Sequence, residues 1–154
     1  MASPHKDVDT PKLKFAFRLG FDLDEFIDTN DTPRGDRSVV TFKNGTFEGG
    51  KGFEDFTGKL VGPSSDWATW YDKKQEGLFL NLKLIFKTKD GDVLLAEETG
   101  RSDRVLPDKI NSKIHSSMCF ETGSKKHFWM NKKVFVGKGY KTKMRLHVNY
   151  FLVE

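Results

Sequence analysis

From Leu78 to Phe86 every second residue is large and apolar: Leu78, Leu80, Leu82, Leu84 and Phe86 face one way, and Asn81 and Lys83 the other. Successive side chains of a strand point to opposite faces, so such a run is a strand with one dry and one wet side, and a helix cannot use it. The same period runs through Leu13, Phe15, Phe17 and Leu19, with Lys14 and Arg18 opposed, and through Met144, Leu146, Val148, Tyr150 and Leu152 near the end. A Lys89-Asp90-Gly91-Asp92 turn joins the leucine-rich run to a second one, Val93 to Thr99, which predicts a hairpin. Shorter strands are expected at 37–42, 46–48, 56–61, 66–71, 117–121 and 133–137. Asn44-Gly45 is expected as a tight turn, with further breaks at Gly49-Gly50 and Gly62-Pro63-Ser64-Ser65. Many short strands between glycine-rich turns give an all-β chain, either a closed barrel or a sandwich. One short helix is expected near 107–116, because Pro107 suits a first helical turn.

A length of 154 residues fits one domain, read as residues 13–154 behind a flexible tail, 1–12. Aliphatic residues are few, but 14 Phe, 3 Trp and 3 Tyr supply enough apolar area for one core. The 26 basic and 22 acidic residues are interleaved, which points to a mixed surface and away from a nucleic-acid partner. The densest basic stretch, from Lys125 to Arg145, reads as a solvated strand face. One cysteine, Cys119, leaves no intramolecular disulfide and reads as a small buried apolar side chain rather than a nucleophile. With neither a signal-like nor a membrane-length apolar run, the expected location is cytoplasmic, with no membrane partner.

Signatures of phosphate loops, nucleophile elbows and His-Glu-x-x-His zinc sites are missing, so neither a cofactor nor a metal is expected. What remains is a set of carboxylates among aromatics. Asp66, Ala68 and Trp70 share one strand face, and Trp67, Thr69 and Tyr71 the other. Asp66 is therefore either a general acid or base against aromatic walls, or a cap for the preceding turn with Trp67 filling the core. Glu48, between Phe47 and Gly49, is either a pocket carboxylate or an acid paired with Arg34 or Arg37. Of Glu97 and Glu98 only one can point inward, and Glu97, which shares a face with Val93 and Leu95, is the choice. The catalytic candidates are thus Asp66, Glu48 and Glu97. Candidate substrate contacts are Arg34, Trp67, Trp70 and Tyr71, then Arg101, Trp129 and Asn131; Trp129 could equally plug a barrel end.

A series of short words carries a resemblance: Thr32-Pro33-Arg34-Gly35, Gly45-Thr46-Phe47-Glu48-Gly49, Asp66-Trp67, Thr88-Lys89-Asp90-Gly91, Phe120-Glu121-Thr122-Gly123, Trp129-Met130-Asn131 and Phe135-Val136-Gly137. In this order and at this spacing the chain resembles the DUF3237 family, also called UPF0311, from Leu13 to Tyr150. The resemblance implies an antiparallel, calycin-like closed β-barrel with an internal or end-on cavity. It supplies no catalytic map.

A small barrel with an aromatic pocket and a few acids suits chemistry by shape and proton transfer. The expected function is a cofactor-independent isomerase or cyclase for a small, largely apolar metabolite, such as a biosynthetic intermediate. The alternative is a non-catalytic barrel that binds such a molecule. A carboxylate buried in the lumen with a raised pKa favours catalysis. Exposed apolar positions such as Phe151 lead to the expectation of a homodimer.

Overall fold

The computed structural model describes all residues except 73–75 and 104–112. The strands are β1 (Leu13–Thr32), β2 (Gly35–Gly49), β3 (Gly58–Leu60), β4 (Ser65–Trp70), β5 (Gly77–Thr88), β6 (Val93–Asp103), β7 (Lys113–Glu121), β8 (Phe135–Thr142) and β9 (Arg145–Val153). All pairings are antiparallel, in the order β1-β9-β8-β7-β6-β5-β3-β2-β4, and β1–β2 and β5–β4 pair as well. The ring therefore closes, with β3 and β4 together filling one place between β2 and β5. Closure pairs the strands on both sides around the ring, while β1 beyond Asp22 continues as a hairpin arm whose strand partner among the described residues is β2 alone.

The long strands β1 and β2 bend to close the ring, and the bend is built from bulges at Gly20/Asp22, Leu23/Phe26 and Asp28/Asn30. Asn44-Gly45 is one of these features and not the expected turn. Asn44 takes φ 53° within β2, and the chain reverses instead at Thr32-Pro33-Arg34-Gly35, where the Thr32 hydroxyl accepts the Arg34 N–H. The expected helix is also corrected in part. Lys113 to Ser116 belong to β7, because Ile114, Ser116, Met118 and Phe120 alternate with period two and both neighbours hydrogen-bond to them. Residues 107–112 of that expectation lie outside the described residues.

Inward side chains divide the interior into two halves. One half is packed with aromatic rings. Phe17, Phe56, Phe86, Phe120 and Phe135 meet there edge to face at 4.9–6.1 Å, a geometry favoured by the ring quadrupoles. A 3-10 helix, Phe128–Lys132, closes this end with the buried Met130 and with His127 against Phe56. The basic stretch lies mostly on the wet face, except that Lys141, on the inward row of β8, is fully buried. Cys119 is exposed on the outer face of β7, correcting the expectation of a buried apolar side chain. Among the described residues no helix is long and apolar enough to cross a membrane.

Candidate functional site

The second half of the interior is a chamber, walled by Phe21, Phe42, Leu80, Leu82 and Val148 and reaching Ser102 and Ile114. The space open to the centre of a water molecule is about 30 Å³. Two carboxyls, Asp66 and Glu98, stand in it, 5% and 2% exposed.

The register explains their placement. Asp66 pairs with Leu82 and Leu82 with Glu98, so the three form one inward row across β4, β5 and β6. Neighbouring strands set the Cα atoms of Asp66 and Glu98 roughly 10 Å apart, with the Leu82 side chain between them. An Asp66 carboxyl oxygen accepts the backbone N–H of Asn81 at 2.8 Å. Burial pushes its pKa from 3.8 up to about 7, against the opposing effect of that hydrogen bond. Glu98 accepts the Tyr150 hydroxyl at 2.9 and 3.0 Å on its two oxygens. Burial pushes Glu98 from 4.5 up to about 7; Ser116 and Tyr150 pull it down, and the negative charge of Asp66 adds to the rise. Tyr150 is itself raised well above 10, by burial first and then by the Glu98 charge.

Gly137 makes the Glu98–Tyr150 bond geometrically available. Ser116, Gly137 and Tyr150 are lateral neighbours on β7, β8 and β9. A Cβ on Gly137 would lie 2.4 Å from the Ser116 hydroxyl and 2.8 Å from the Tyr150 ring, so only a residue without a side chain lets that ring lie across β8. Phe17 supports its other face, stacked at 4.7 Å.

Of the residues expected from sequence, Asp66 and Trp70 point inward with Ala68. Asp66 does not cap the preceding turn, a task that falls to Ser64, whose hydroxyl donates to the Val61 carbonyl and accepts the Ile85 N–H. Trp67 does not fill the core, since it stands on the outer face and is 54% exposed. Trp70 is the buried indole, donating to Ser38 at 3.2 Å, and Ser38 in turn donates to Asp28. Glu97 is corrected. It points outward and pairs with Lys83, because the face that Val93 and Leu95 share is the wet one, and the inward row is Leu94, Ala96 and Glu98.

Glu48 is also on the outside, paired at 2.5 Å with Arg18 rather than with Arg34 or Arg37. Arg34 is exposed at the tip of the β1–β2 hairpin, and Tyr71 is exposed beside Phe79. Arg101 lies on the outer face, its guanidinium 4.3 Å from the Phe79 ring centre. Trp129 sits at the closed end, partly exposed, near Phe53 and Phe135. Asn131 ties the same end together, accepting the Thr122 N–H and donating to the Thr122 and Phe128 carbonyls at 2.8–3.0 Å.

Glu98, Tyr150 and Ser102 are thus the polar chamber residues that sequence reasoning missed, with Ser116 beside Glu98 and Tyr150. A broad groove on the outer wall holds Arg18, Glu48, Lys138, Arg145 and His147. Its charges are solvated, and Arg18–Glu48 and Arg145–Asp22 are paired, so it offers no buried carboxyl like those of the chamber. Among the described residues no group of three or more His, Cys, Asp or Glu side chains is placed to hold a metal ion.

Solved structures share this architecture. A beta-barrel-like protein from Acinetobacter baumannii matches with a TM-score of 0.82 at 19% identity, over 97% of this chain and 100% of its own. A conserved protein of unknown function from Rhodopseudomonas palustris matches with a TM-score of 0.78 at 20% identity, over 96% and 100%. An enzyme from Penicillium herquei matches with a TM-score of 0.67 at 17% identity, over 98% and 100%. At such identities the likeness is one of fold. No functionally curated protein matches the chain. The family model described as protein of unknown function (DUF3237) matches residues 11–153, and the chain therefore belongs to the DUF3237 family.

Proposed function

We propose that the chamber is the working site of an isomerase or cyclase that handles a small, largely apolar metabolite with side chains alone. The observation that carries this reading is the pair Asp66 and Glu98. Two carboxyls are held in a chamber walled mainly by apolar side chains, each with its pKa pushed to about 7. Burying a carboxyl without a full set of partners costs several kcal/mol, which a purely structural role does not require. Near pH 7 about half of such pairs hold one member protonated and the other ionised, the state needed to donate a proton at one atom of a substrate and remove one at another. Preorganisation by the apolar walls can contribute on the order of 7 kcal/mol towards a cyclisation, so modest acid–base assistance is sufficient. That one barrel of like fold, from Penicillium herquei, is an enzyme agrees with a catalytic use of the fold.

The test is native mass spectrometry of the protein after incubation with a small-molecule extract of its source organism, followed by a time course of the captured compound. Constant mass with changed chromatographic retention, abolished in Glu98→Gln or Asp66→Asn, is the expected result. Release of an unchanged compound would replace the enzyme with a binding barrel.

A further inference from the structure

One block of the outer wall is apolar where its surroundings are wet. Leu13, Val153 and Val134 form one outward row, since Leu13 pairs with Val153 and the Val153 N–H donates to the Val134 carbonyl at 3.0 Å. Phe15, Phe151 and Val136 form the next row, with the Phe15 and Phe151 rings edge to face at 5.8 Å. Leu13, Phe15 and Val134 are 58%, 39% and 45% exposed, and the other three are partly exposed. No polar side chain stands within the two rows. They end at Arg18, Asn149 and Lys138 towards the middle of the barrel, and at Lys12 and Glu154 towards its closed end.

The area of this block suits a second protein surface. Its six side chains present roughly 350 Å² of apolar surface to solvent. Over the barrel rim Phe53 and Trp129, with ring centres 5.8 Å apart and Lys14 reaching Phe53, add about 130 Å². A standard interface buries about 800 Å² on each partner, of which about 65% is apolar in a homodimer, or roughly 520 Å². The patch therefore supplies nearly the whole apolar share of one dimer face. Its rim is complementary to itself: a two-fold axis lying across the strands through the block brings the exposed Glu154 of one copy to the Arg18 and Lys138 row of the other. The other outer aromatic cluster, Trp67 with Phe79, is already partly covered, since Arg37 donates to the Trp67 carbonyl at 3.3 Å and Arg101 lies 4.3 Å from the Phe79 ring centre.

We propose that this block binds a second copy of the chain face to face, β1, β9 and β8 against their counterparts, with Phe151 near the two-fold axis because it stands on the middle strand. The contact does not depend on what the chamber does.

The test is sedimentation equilibrium of the full chain over a range of concentrations, where the wild type should approach twice its 17.6 kDa mass. Phe151→Glu and Phe151→Lys should each raise the dissociation constant at least about thirtyfold, the effect of losing a side chain at the centre of an interface. An equimolar mixture of the two should regain the dimer, because opposite charges then meet at the axis, and near-ultraviolet circular dichroism should show both variants folded. Trp67→Arg should dimerise like the wild type. A wild type still monomeric at about 100 μM, a dimer that persists in both Phe151 variants, or no recovery in the mixture of two folded variants would each overturn the proposal. So would a dimer lost in Trp67→Arg alone. A monomer that sediments with phosphatidylcholine vesicles would assign the block to a lipid surface and overturn it as well.

Discussion

Replacing Asp66 by asparagine should make the protein more stable at pH 8. The carboxyl is raised from 3.8 to about 7 by burial, so between those values the unfolded chain ionises while the folded chain resists. The group therefore favours folding most fully below pH 4 and loses that contribution as pH rises towards 7. Above pH 7 the accumulated penalty is about 4 kcal/mol. Asparagine keeps an acceptor for the Asn81 N–H, which the carboxyl oxygen takes at 2.8 Å, and never ionises. Burying its amide costs about 1–2 kcal/mol of the gain. The expected net stabilisation at pH 8 is thus about 2–3 kcal/mol, or a Tm rise of roughly 5–10 °C for a chain of this size. At pH 4, where the wild-type carboxyl is neutral in the folded state, the gain should vanish or reverse. The assay is urea unfolding followed by tryptophan fluorescence at both pH values. A difference between variant and wild type that is the same at pH 4 and pH 8 would refute the reasoning, because only ionisation makes it pH-dependent. Stability gained together with activity lost is the trade expected of a residue kept for chemistry.

Three further outcomes follow from particular contacts. Gly137→Ala places a Cβ 2.4 Å from the Ser116 hydroxyl and 2.8 Å from the Tyr150 ring; it should destabilise by about 1–3 kcal/mol in chemical denaturation and quench turnover of the captured metabolite by displacing Tyr150 from Glu98. Glu48→Gln and Glu97→Gln remove exposed ion pairs with Arg18 and Lys83; each should alter stability by less than about 1 kcal/mol and leave turnover unchanged. His127 is held below its usual value of 6.5, by burial first, with Asp92 3.7 Å from its ring opposing this. Its neutral form is favoured on folding, so it subtracts stability as pH falls below 6.5. His127→Gln should therefore flatten the acid limb of the Tm–pH curve relative to wild type.

The barrel was legible because a half-buried strand writes its two faces into alternate residues. Leu78 to Phe86 and Leu146 to Leu152 kept that alternation without a break, and both are strands with the predicted inward face, while Met144 lies in the turn before β9. The bulged strands were harder to read. Asn44-Gly45 has the composition of a hairpin turn, but pairing on both sides holds it inside β2, where its positive φ serves a bulge. The site was half legible for a related reason. Asp66 shares a face with Ala68 and Trp70, and that face is the inner one. On β6 both faces carry apolar residues and both end in a glutamate, so alternation alone cannot say which is dry. The decision is made by pairing, since Glu98 lies opposite Leu82 and Met118, both buried, whereas Glu97 lies opposite Lys83 and the exposed Cys119. Tyr150 sat in an apolar row, where its ring was expected but its hydroxyl's partner 52 residues away was not. Arg34, Trp67 and Tyr71 stood out by residue type, and nothing in their local spacing tells an outer aromatic from a wall of the chamber.

The most direct measurement is a carbon-13 NMR titration of the side-chain carboxyls, with Asp66→Asn and Glu98→Gln assigning the two chamber signals. Inflections for both near pH 7 would establish two poised acids in the chamber. Inflections below about pH 5 would mean that the carboxyls are solvated and that the chamber is not the working site.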